Sequence, residues 1–152
     1  MAKSQNGYVF TYAGTTISWK STKQTLTATS SNHAELIALY EASRECVWLR
    51  SMIGQLQEDC GLNDTTNAPT IIYEDNDACI NQVREGYIRG DRTKHLSPKL
   101  FFAHDLQRDK KIKVQEIQSC ENPADLFTKS LPTSQFEYLV RKIGMCRFRD
   151  IC

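Results

Sequence analysis

Three acids in this 152-residue chain, Glu35, Asp75 and Asp125, stand at the ends of expected structural elements. Asp75 closes the short apolar run Thr70-Ile71-Ile72-Tyr73. That is the carboxyl end of a buried-type strand, where open α/β sheets gather their ligands. Glu35 lies near the start of a long helical stripe, and Asp125 follows the helix-start pair Asn122-Pro123. Carboxylates brought from separate elements to one point repel each other unless a hard cation lies between them. Mg²⁺ or Mn²⁺ suits oxygen ligands and keeps waters for a reacting phosphate. Two such ions about 4 Å apart can hold the attacking and leaving oxygens of a phosphodiester hydrolysis.

Each of these residues also has a local reading. Glu35 and Asp125 favour helix N-termini through the macrodipole, and Asp75 followed by Asn76 can cap a helix. His33, two residues from Glu35, reads as a surface or cap residue, and His104 as a partly buried core histidine. Trp19 and Trp48 read as core residues rather than base-stacking platforms.

The elements that must hold these groups follow from period and punctuation. Tyr8 to Tyr12 and Thr16 to Trp19 are β-rich runs around Ala13-Gly14, a hairpin pattern. Leu36, Leu39, Cys46, Leu49, Ile53 and Leu56 then recur at helical spacing, with Ser31 or Asn32 as cap and Gly61 as stop. A strand over 70–73, a helix over about 76–85 and a loop between Gly86 and His95 come next. Ser97-Pro98 opens a helix to about residue 108. Ile112, Val114 and Ile117 make a strand whose offset suggests a bulge. A helix carrying Asp125 follows, then a last one with Phe136, Leu139, Val140 and Ile143 inward, stopped by Gly144. This order predicts an α/β domain with a mixed sheet.

Composition leaves that reading room. A content of 40% hydrophobic and 24% charged residues is that of an ordinary globular domain, not of a disordered or collagen-like chain. No apolar run approaches the ~20 residues of a membrane span, and Met1 to Asn6 carries no apolar secretion signal. The expected location is intracellular, cytoplasmic or nuclear. Net charge is only +1, so composition gives no push towards nucleic acid. The six cysteines form no C-x-x-C pair and the three histidines complete no zinc spacing, so the thiols read as reduced, with Cys46 a small hydrophobe on the helix stripe.

Seven ordered blocks carry a resemblance. They are Gly7-Tyr8-Val9-Phe10; Ile17-Ser18-Trp19-Lys20-Ser21-Thr22-Lys23-Gln24; Ser30-Ser31-x-x-Ala34-Glu35; Glu45-Cys46-Val47-Trp48-Leu49-Arg50; Tyr73-Glu74-Asp75-Asn76; Arg92-Thr93-Lys94-His95; and Ala124-Asp125-Leu126-Phe127-Thr128-Lys129 with Leu131-Pro132. Together, over residues 3–145, they resemble the ribonuclease H domain of Copia-type LTR retrotransposon polyproteins, in a plant-like dialect. The resemblance implies a ribonuclease H-like fold, a mixed sheet flanked by helices. It implies two-metal hydrolysis of the RNA strand of RNA–DNA hybrids, with Glu35, Asp75 and Asp125 as three of four catalytic, metal-holding acids. Arg92, Lys94 and His95 become phosphate contacts, against the plainer reading of a solvated basic loop.

In the family the first acid lies in a strand just ahead of a block that Lys3-Ser4-Gln5-Asn6-Gly7 already matches. The expectation is therefore a single domain over 1–152 without its first, central strand, and a site without the acid that bridges both ions. Mg²⁺ would bind weakly if at all, and ribonuclease H activity would fall on the order of a thousandfold or more. The inner strand edges would call for a second copy of the chain, a partner protein, or the tail over 145–152 with Asp150. The alternative function is a co-opted, non-catalytic module that binds proteins or nucleic acid.

Overall fold

These periodicities become regular elements in a computed structural model that describes residues 4–24, 30–63, 67–87 and 91–151, with the side chains of residues 91–93 and 150 outside the description. In chain order they are β1 (Gln5–Tyr12), β2 (Thr15–Lys23), α1 (Ser31–Asp59), β3 (Thr70–Glu74), α2 (Asp77–Glu85), α3 (Ser97–Arg108), β4 (Ile112–Glu116) and α4 (Thr133–Lys142). The architecture is mixed α/β with short sheets and no closed barrel. β1 and β2 pair antiparallel and β3 and β4 pair parallel. Among the described residues the two pairings form separate two-stranded sheets rather than one mixed sheet. The chain divides into two compact units, Ser30–Glu116 and Met1–Thr29 with Ile117–Cys152.

In the Ser30–Glu116 unit, β3 and β4 run in register from Thr70↔Ile112 to Glu74↔Glu116. Ile72, Ile112 and Val114 are buried, with Cys79, Ile80 and Val83 of α2 and Leu100, Ala103 and Leu106 of α3. Leu36, Leu39, Cys46 and Leu49 bury the expected stripe of α1, but Leu56 is 55% exposed, so the stripe ends before the helix does. A 29-residue helix is about 43 Å long, well over twice the length of α3. The α1 cap is Ser30, whose hydroxyl accepts from the His33 N–H at 3.2 Å, one residue ahead of the expected pair. Arg50 anchors the entry to β3 by donating to the Ala68 carbonyl at 2.8 Å and to Thr70 Oγ1 at 2.9 Å. His104 is part-buried as expected, its Nδ1 2.8 Å from the Val83 carbonyl. A Cβ on Gly86, which has φ +68°, would stand 2.9 Å from that ring.

β4 ends at Glu116 in unbroken register, so Ile117 lies beyond the strand and the expected bulge there is absent. The bulge occurs instead in β1, between Phe10 and Thr11. Trp48 is 55% exposed on α1 and Trp19 62% exposed on β2, which overturns the core reading of both. Amphipathic period identifies a face only when a neighbour covers it, and these two rings keep more than half of their surface exposed.

In the other unit the hairpin turns through Ala13 (φ +50°) and Gly14 (φ +78°), the two positive φ angles that match a tight turn to strand twist. The expected helix after Asn122 is a five-residue 3-10 turn, Pro123–Phe127, capped by Asn122 Oδ1 accepting from the Ala124 N–H at 3.1 Å. Gly7 lies beneath it: a Cβ there would meet Thr128 Cγ2 at 2.6 Å and Phe127 Cβ at 2.9 Å. Ser21 Oγ donates to the Phe127 carbonyl at 2.6 Å. α4 buries Leu139, and Ile143 is buried just beyond its end, while Phe136 stays 49% exposed against expectation. The chain end forms a 3-10 turn, Phe148–Asp150, rather than an extended strand, with Phe148 84% exposed. No described helix is long and apolar enough to cross a membrane.

Candidate metal centre

The turn from β3 into α2 gathers three carboxyl groups. Residues alternate along a strand, so burial of Ile72 places Glu74 on the same inner face, where it is 6% exposed. Asp75 follows as the chain leaves the strand. Glu35 comes from the second turn of α1, and one ligand oxygen from each of Glu35, Glu74 and Asp75 lies within 4.8 Å of the others. Two of these three acids, Glu35 and Asp75, are expected from sequence. Glu74 is not, although strand alternation from Ile72 marks it as inward.

The local readings of Glu35 and Asp75 fail on geometry. With Ser30 as cap, no acid occupies the first turn of α1, so Glu35 lies past the reach of the helix N-terminus. The α2 cap is Asn76, whose Oδ1 accepts from the Cys79 N–H at 3.0 Å. Asp75 is therefore not needed as a cap. The Asn76 N–H also donates to Glu74 Oε1 at 3.1 Å.

Electrostatics sharpens the picture. Burial first, then the charges of Glu35 and Asp75, push the Glu74 carboxyl up to about 8, against the pull of the Asn76 and Asp75 N–H groups. Burial, Glu74 and Glu35 also push the Cys79 thiol up, so it forms a protonated, apolar wall beside the cluster. Three carboxyls this close that must either share a proton or share a cation are a donor set that suits a hard divalent ion. Among the described residues no other trio of acid, histidine or cysteine side chains comes so close together.

Asp125 belongs to the other unit. It is 8% exposed, in the first turn of the 3-10 segment, and Lys129 Nζ lies 2.9 Å from Oδ1 and 3.0 Å from Oδ2. Lys94 and His95 are exposed on the 3-10 turn Asp91–Leu96 that leads into α3. The side chain of Arg92 lies outside the described residues. Burial, and after it the charge of His95, holds the His33 imidazole below its usual range, which brings the basic turn into the electrostatic neighbourhood of the α1 start.

The chain is 34% identical over 143 residues to the retrovirus-related Pol polyprotein from transposon TNT 1-94 of Nicotiana tabacum, covering 94% of this chain and 10% of that protein. It is 30% identical over 148 residues to the Pol polyprotein from transposon RE1 of Arabidopsis thaliana, 95% of this chain and 9% of that protein. It is 29% identical over 144 residues to the transposon Ty1-DR1 Gag-Pol polyprotein of Saccharomyces cerevisiae, 92% of this chain and 8% of that protein. No family model and no solved structure matches. The chain is thus homologous to one segment of retrotransposon Pol polyproteins and spans about a tenth of the length of these curated relatives. This similarity supports a transposon-derived domain.

Proposed function

We propose that the chain is a ribonuclease H-like domain of the Copia type, acting on the RNA strand of RNA–DNA hybrids with Mg²⁺ or Mn²⁺. The observation that carries this reading is the convergence of Glu35, Glu74 and Asp75 within 4.8 Å. The seven-block resemblance and the Pol relatives agree with it. Glu35 and Asp75 would hold the cation as carboxylates, with Glu74 giving up its proton to join them. A bound divalent ion would supply Lewis acidity and a water of lowered pKa. Lys94 and His95 would hold backbone phosphate from their exposed turn, with Arg92 assigned the same role by resemblance. The resemblance also assigns Asp125 as a metal-holding acid.

The test is a labelled RNA–DNA hybrid incubated with Mg²⁺ or Mn²⁺, alongside calorimetry with Mg²⁺ alone. Weak metal-dependent cleavage of the RNA strand, and a millimolar or better Mg²⁺ site lost in Asp75→Asn, are the expected results. Absence of both would favour the second reading, a co-opted non-catalytic binding module. That reading has its own support in the exposed Trp19 and Trp48 rings.

A further inference from the structure

One aromatic ring of the Ser30–Glu116 unit carries two cations. Lys99 Nζ lies 4.0 Å from the Tyr40 ring centroid, and the Arg44 guanidinium carbon lies 5.8 Å from it. Tyr40 is itself braced edge-on by Phe102, with centroids 5.4 Å apart and planes at 75°. The ring is thus fixed between α1 and α3, and the cations are fixed to it.

Arg44 has a carboxylate neighbour, Glu41 Oε1 at 3.9 Å, but its side chain is 60% exposed, and such a loose surface pair holds it weakly. Among the described residues no carboxylate lies within salt-bridge distance of Lys99. The attraction that orders Lys99 is the ring quadrupole, which acts on the cation without using its three N–H donors. An ammonium held on a ring face keeps its N–H donors for an anion, and this local seat stands against the formally negative charge of the unit around it. Of the 19 Lys and Arg, 11 fall in this unit with 14 of the 18 acids, a formal charge of −3.

The seat continues a row. The 3-10 turn Asp91–Leu96 runs directly into α3, so Lys94 and His95 precede Lys99 by about one helical turn on a continuous path, and Arg44 adds a cation from α1. Lysines repeated along one stretch of chain, with Arg44 beside Lys99, fit the repeating charges of a nucleic-acid backbone better than a single acidic side chain or a flat lipid surface. We propose that Lys99, held on Tyr40 with Arg44 beside it, is a phosphate-backbone contact that positions a nucleic-acid duplex on the α1–α3 surface. The proposal rests on the hybrid-binding reading above and names residues outside the acid cluster and outside the basic turn.

The test is binding of a short labelled RNA–DNA hybrid to the full chain, followed by fluorescence anisotropy in EDTA so that no cleavage runs. Lys99→Gln is expected to weaken binding about three- to tenfold near 100 mM salt and to lower the slope of log Kd against log salt by about one. Lys99→Arg retains a cation able to stack on the ring and is expected to retain binding. Tyr40→Phe is expected to bind as the parent chain does. Tyr40→Leu is expected to reproduce the Lys99→Gln loss, with a thermal melt to show that the fold survives; if it melts early, the comparison of Lys99→Gln with Lys99→Arg carries the test alone. Lys113→Gln, an exposed lysine on β4, is the control and should change little. Parental affinity and slope in Lys99→Gln, or an equal loss in Lys113→Gln, would overturn this proposal while leaving the hybrid-binding reading intact. A parent chain that binds no hybrid even at about 50 mM salt would sink both.

Discussion

Glu74 and Asp125 are buried alike, 6% and 8% exposed, yet the two units neutralise them differently. Asp125 sits in a unit of 8 bases and 4 acids, formally +4, and is clamped through both oxygens by Lys129. Glu74 sits in the unit of −3, accepts backbone N–H groups, and has Glu35 and Asp75 for neighbours. A carboxylate with a lysine four residues on is a finished local structure. A carboxyl pushed up to about 8 by burial, and after it by other carboxylates, is stable only with a proton, and a divalent cation is what would release that proton. The contrast locates the candidate chemistry in the Ser30–Glu116 unit and makes Asp125 the acid whose assigned role most needs a test.

The largest expected effect tests that contrast directly. Asp75→Asn should weaken the Mg²⁺ site more than tenfold in calorimetry, about 1.4 kcal/mol or more, whereas Asp125→Asn should change it little if the Lys129 clamp is the whole of its role. An equal loss in Asp125→Asn would break the contrast and restore Asp125 to the centre, as the resemblance has it.

Next comes pH. The Glu74 pKa is raised on folding, from 4.5 to about 8, so its contribution to stability is complete below about 4.5 and is lost as pH climbs through about 8. The loss approaches a few kcal/mol in metal-free protein. Glu74→Gln keeps the shape without the charge and should melt at higher temperature than the parent above pH 8. The two curves should converge towards pH 5, and added Mg²⁺ should narrow the gap at high pH. Identical melting across this range would remove the raised carboxyl.

Gly7→Ala should cost about 1–3 kcal/mol in chemical denaturation, because the new methyl meets Thr128 and Phe127 at under 3 Å. The smallest effect is that of Lys129→Ala. Lys129 is 52% exposed, so its bridge should be worth under about 1 kcal/mol and should fade with salt. A larger loss would mean that Asp125 depends on its lysine more than surface pairs do.

Much of this was readable along the chain. The hairpin, the long helix from the thirties to Gly61, the strand before Asp75, the Ser97-Pro98 helix and the last helix before Gly144 all carry strong local signals, and each forms. The errors have local causes too. Ile117 is β-branched and apolar, which predicts a strand residue, but β4 stops where β3 stops, at Glu116 opposite Glu74. Asn122-Pro123 gives the same start signal for a 3-10 turn as for an α-helix, and the packing of Gly7 beneath it accompanies the shorter form. Trp19, Trp48, Leu56 and Phe136 stand where apolar period predicts inward residues, yet each lies more than a third exposed.

The order of elements, the positions of Glu35 and Asp75 at their ends, and the overall balance of charge belong to the sequence itself, because period, punctuation and composition act over a few neighbouring residues. It takes the packed molecule to bring Glu74 to Glu35 and Asp75, to raise its carboxyl by burial and by their charges, and to gather Lys99 and Arg44 on Tyr40. Those outcomes depend on which oxygens, rings and cations from distant parts of the chain come within a few ångströms of one another, and that proximity sets both desolvation and field.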